Sequence, residues 1–175
     1  MTVWFDALKA GALIFVAAVL QVSVLNGVQL ASGVPDLLLV MLVCVALLRG
    51  AVFGAACGFL AGLLVDTATL GQLGFTSLPL TVAAYWIGRY GDTTGRDRAH
   101  APFLSVAVIT VLYALGLLTL HFVLGQHAPA GTVARGLVPS VLLNLLITAP
   151  VYALCKRLVP PRDWTERAQE VQLLG

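Results

Sequence analysis

Residues 34–66 read VPDLLLVMLVCVALLRGAVFGAACGFLAGLLVD, two apolar runs parted only by Arg49 and Gly50. Taken as one helix, the stretch carries an arginine into the centre of a bilayer, at a cost of about 2.5–3.5 kcal/mol on insertion scales. Taken as two, it is a tight hairpin with Arg49-Gly50 at its tip, and glycine suits the end of the first helix. The hairpin avoids the cost, and it sets the span count for the rest of the chain.

The apolar character extends outward in both directions. Of 175 residues, 59% are hydrophobic and 10% charged, and the mean hydropathy is +0.96. A soluble domain keeps roughly a quarter of its residues charged, so no soluble module large enough to fold alone is present. The chain is therefore expected to be an all-α integral membrane protein with six spans. They are placed at about 8–30, 34–48, 51–65, 75–90, 103–124 and 136–159, in one domain covering 1–160. The first run continues past Val24 without a small-residue cleavage site, which predicts an uncleaved helix.

Basic residues flank spans on the cytoplasmic side. With the N-terminus inside, Lys9, Arg49, Arg89, Arg96, Arg98, Lys156, Arg157, Arg162 and Arg167 fall on that side, and only Arg135 falls outside. Nine of ten basic residues thus agree with six spans and cytoplasmic termini. The loop 91–101, GDTTGRDRAHA, is a polar inner turn whose Arg96 and Arg98 can meet anionic lipid or a cytoplasmic protein. In the tail 161–175, Asp163 with Glu166 three residues on resembles a capping box, and Trp164, Ala168 and Val171 share a helical face. A short amphipathic helix on the inner leaflet is expected there, either resting on lipid or docking a cytoplasmic partner.

Gly50, Gly54, Gly58 and Gly62 recur every four residues along span three. In lipid, helices associate through close backbone approach, so a small-residue stripe implies a helix lying against it. That helix belongs either to this chain or to a partner. Asp66 continues the stripe at the outer end, where a carboxylate either bonds the backbone of the next turn or has a functional role. Asp36 follows Pro35 at the outer start of span two, where proline and an acid both suit a first turn. The two acids could face a common outer crevice.

Other polar groups point to structure. Cys44, Cys57 and Cys155 build neither a disulfide framework nor a CxxC metal site and read as packed thiols. His121 and His127 are six apart, which does not put both on one helix face for a metal. Gln21, Asn26 and Asn144 are expected to bond between helices, and Pro79, Pro139 and Pro150 to kink spans four and six. No nucleotide loop, catalytic cluster or basic–aromatic nucleic-acid patch is present in the sequence, and no cofactor is implied.

The order of these features resembles a known family. Pro35-Asp36 opens the short second span, Arg49-Gly50 forms the tip, and the glycine stripe ends in Asp66. Leu70-Gly71-Gln72-Leu73-Gly74 then forms a turn, and Tyr85, Gly88 and Arg89 close span four. This pattern, over residues 33–90, is similar to the rod shape-determining MreD family. The resemblance implies a non-catalytic scaffold of the bacterial elongation machinery in the cytoplasmic membrane. Its implied partners are MreC, MreB, a RodA-type glycosyltransferase and a penicillin-binding transpeptidase. It also implies a fold similar to the substrate-binding subunits of energy-coupling-factor transporters. A vitamin-uptake subunit is therefore the rival reading, although the outer loops are short and poor in polar and aromatic groups. A membrane enzyme is the third, and it lacks a catalytic cluster.

Overall fold

The computed structural model describes residues 2–25, 33–70, 72–95, 100–125 and 130–159. Six helices and no strand occur among them: α1 (Thr2–Ser23), α2 (Leu37–Arg49), α3 (Ala51–Ala68), α4 (Ser77–Tyr90), α5 (Ala101–Val123) and α6 (Ala130–Leu158). The first helix begins and ends before the expected 8–30, and the last begins before 136. Among the described residues, three helices are long and apolar enough to cross a membrane: Ala51–Ala68, Ala101–Val123 and the Val133–Leu158 part of α6.

The short α2 is the axis of the bundle. Every residue from Leu38 to Arg49 is buried, because α1, α3, α4, α5 and α6 all pack on it. A run apolar all round suits either a protein core or lipid, and here LLLVMLVCVALL is enclosed by protein. Its 13 residues rise about 20 Å, short of a hydrocarbon core of about 30 Å.

Hydrogen bonds and contacts fix the helix directions. α1 reaches the start of α2 through Gln21, which accepts from Leu37 N (2.9 Å) and donates to the Pro35 carbonyl (3.2 Å). α3 packs antiparallel on α4, with Gly54 beside Ala84 and Gly62 beside Ser77. α2 runs parallel to α6: Asp36 N bonds Asn144, and further along Met41 meets Cys155. α5 opposes α6, and Asn144 donates to Thr110 Oγ1 (3.1 Å). Helices alternate in direction, so the bundle has two ends. One carries Arg49 and Gly50; the other carries Asp36 and Asp66.

Proline placement differs from expectation in α4. Pro79 is the third residue of α4, inside the first turn, where a missing N–H removes no helical bond. It therefore starts the helix without kinking it. Pro139 and Pro150 lie within α6, which is continuous through both.

Candidate functional site

Both expected outer acids lie at the same end, and each is engaged at a helix start. Asp36 is the N-cap of α2, its Oδ1 accepting from Leu39 N (2.9 Å). The segment before it is irregular, yet its donors are met by side chains of other helices. Val34 N donates to Ser140 Oγ (3.1 Å), Asp36 N to Asn144 Oδ1 (2.8 Å) and Leu37 N to Gln21 Oε1 (2.9 Å). Irregular backbone at membrane depth survives only where protein satisfies it in this way.

Asp66 is 2% exposed, at the far end of α3. Its carboxylate accepts from Gly74 N (2.9 Å) and Thr76 N (2.9 Å), and more weakly from Ser77 N (3.4 Å). It thus closes the 72–76 turn and caps α4. Tyr113 of α5 lies near Thr76 and within electrostatic reach of both Asp36 and Asp66. His121 of α5 packs edge-on against Phe75 (4.6 Å between ring centres) with Nδ1 at 2.9 Å from the Leu117 carbonyl. His127 and Asn26 lie outside the described residues.

At the opposite end, Gly50 alone joins α2 to α3, with φ +95° that favours glycine. Asp92 Oδ2 accepts from Ala51 N (3.1 Å) and so caps α3. Sequence reading missed this residue, whose only signal was an acid in a polar turn. α3 and α4 thus form an antiparallel pair with an aspartate at each end. Arg49 is 8% exposed, and its guanidinium lies 5.4 Å from the Phe53 ring centre. Arg89 ends α4 at this same end, and Arg96, Arg98 and the tail 161–175 lie outside the described residues.

The glycine stripe faces α4 of the same chain. A Cβ on Gly58 would stand 2.6 Å from the Leu80 carbonyl oxygen, and one on Gly62 would stand 2.1 Å from Ser77 Cα. One on Gly54 would meet Ala46 and Ala84, and one on Gly50 would meet Asp92. Gly88 answers from α4, where a Cβ would stand 2.5 Å from Ala51 Cα. A partner's helix, the alternative expectation for this face, has no room there.

An open face lies elsewhere. Between α4 and α5 runs an apolar groove of about 460 Å³, with Pro79, Val82, Trp86, Leu112, Tyr113 and Gly116 along it. Gly116 leaves its wall low, since a Cβ there would only touch Pro79 at 3.7 Å. Trp86 is 63% exposed, and Leu112 and Val82 are also exposed.

A helical bundle that spends its polar groups on capping its own helices, while Phe15, Val52, Leu60, Leu142 and Leu146 cover its outside, has the make-up of a multi-helix membrane protein. The three long apolar helices agree with that class. The chain belongs to the MreD family: the family model, described as rod shape-determining protein MreD, matches residues 7–159. No curated protein and no solved structure matches the chain. Family membership points to a role in rod shape determination, in a family that is structural in character.

Proposed function

We propose that this protein is a multi-pass scaffold of the elongation machinery in the bacterial cytoplasmic membrane, holding the transmembrane helix of MreC. The carrying observation is a family match across nearly the whole bundle. The acids of the two bundle ends, Asp36, Asp66 and Asp92, are each engaged at helix starts.

All six helices cross the bilayer in this reading, with both termini cytoplasmic. Their alternating direction supports it. So does charge: Arg49, Arg89, Lys156 and Arg157 share the Gly50 end. Lys9 is level with Arg49, because Gln21, twelve residues on, meets Leu37, twelve before Arg49. Arg135, near the start of α6, falls at the other end. Short α2 and α4 are accommodated because their starts are surrounded by protein and satisfied by side chains.

The partner's helix is assigned to the α4–α5 groove, since α4 fills the glycine face. Association in lipid relies on shape and van der Waals contact, which a groove with a low glycine wall supplies. MreB, the glycosyltransferase and the transpeptidase join through MreC or at the basic cytoplasmic end. Gly116→Leu fills the groove and is expected to reduce MreC recovered by co-purification by about tenfold, or roughly 1.4 kcal/mol. The variant should remain inserted and monodisperse. Undiminished MreC with a correctly folded Gly116→Leu protein removes the groove from the interface.

A further inference from the structure

Two sulfur atoms from separate helices meet inside the bundle, and a third lies one turn away on the same face of α2. Met41 and Cys44 are three apart on α2 and so share a face, and Cys155 of α6 stands opposite them. The Cys155 thiol donates to Met41 Sδ at 3.2 Å, and Cys44, on the same face of α2 as Met41, lies within electrostatic reach of Cys155. Cys44 and Cys155 are fully buried, Met41 is 6% exposed, and all three cysteines are free. The third cysteine, Cys57, lies on α3 and takes no part in these contacts.

We propose that Met41, Cys44 and Cys155 form a binding site for a soft monovalent cation, copper(I) or its analogue silver(I). Thiolate and thioether ligands select such ions. Zinc favours four ligands drawn from thiolate, imidazole and carboxylate. Among the described residues no group of three or more histidines, cysteines and acids exists to supply them.

Charge also selects the ion. Copper(I) displaces the proton of one cysteine, which leaves as H⁺, while the second thiol and the thioether donate lone pairs and keep their atoms. No electron moves. The loaded site then carries no net charge, which an apolar interior tolerates, whereas a divalent ion on the same ligands would leave an uncompensated charge.

The sulfurs lie close to one end of the bundle. Cys155 directly precedes Lys156 and Arg157 at the end of α6, and Cys44 lies about 7.5 Å of helix rise before Arg49. The site is thus near the polar Gly50 end and ties α2 to α6. Occupancy would couple a soft metal to the packing of the central helix.

The test is an anaerobic titration of the purified, reduced full-length protein in detergent, with copper(I) shared against a chromophoric copper(I) chelator. Wild type and Cys57→Ser are each expected to withdraw one equivalent. Cys44→Ser and Cys155→Ser lose it, and Met41→Leu weakens it by more than the roughly 10–100-fold typical of losing an outer-shell partner. X-ray absorption of the loaded wild type should show a shell of sulfur alone. No uptake by wild type, loss of uptake in Cys57→Ser, or a nitrogen or oxygen shell overturns the site. The absorption spectrum needs no variant, so a misfolded mutant does not shield the proposal.

Discussion

Asp66 shows how one side chain can organise two helices. Its carboxylate gathers three backbone N–H groups at the start of α4 while the residue itself sits in the last turn of α3. Each buried donor left bare costs about 1–3 kcal/mol, and loss of a cap about 0.5–2 kcal/mol. Asp66→Ala is therefore expected to lower stability by about 2–3 kcal/mol, and Asp66→Asn, which keeps one acceptor, by less. Denaturant titration in detergent, followed by helical circular dichroism, measures both; equal stability of wild type and Asp66→Ala would discard the capping role. These acids were unequally legible. Asp36 could be read as a helix start because Pro35 stands beside it, and Asp66 as an acid near a turn. Asp92 could not, since its acceptor role depends on Ala51, 41 positions away.

At the scale of elements, α3 and α4 approach through glycine. Propensity alone favours alanine over glycine within a helix by about 1 kcal/mol. At Gly62 the sign reverses, because the new methyl would stand 2.1 Å from Ser77 Cα and the backbones must part. Gly62→Ala should destabilise by about 1–3 kcal/mol, as overpacked cores do. Gly11→Ala, in α1 with nothing within 4 Å of the added Cβ, should be neutral or stabilise by up to about 1 kcal/mol. Opposite signs in parallel thermal melts support glycine packing at Gly62; equal shifts contradict it. The four-residue spacing made the stripe readable, since it needs only helical periodicity. Which helix covers it was not readable, because any small face accepts any other.

For the whole molecule, the proposed orientation predicts which surfaces reagents reach. Leu70→Cys, at a residue 93% exposed beside the Asp66 end, should react with a membrane-impermeant maleimide on intact cells. Arg157→Cys, at the exposed end of α6, should react only after permeabilisation. Labelling of Arg157→Cys on intact cells would reverse the topology and detach the basic end from the cytoplasm. The native cysteines are buried and contribute little background.

Apolar composition and the distribution of charge were sufficient to establish an all-helical chain and the hairpin at Arg49-Gly50, while the order of short motifs over residues 33–90 carried the resemblance to the MreD family. Those features depend on neighbours within a few positions, where periodicity and helix-breaking residues act. The tertiary structure alone decided that α2 is the axis, that α4 fills the glycine face, that Asp92 caps α3, and that Met41 meets Cys155. Each of these joins residues from separate helices. Such contacts follow from how whole faces pack, and local sequence does not encode them.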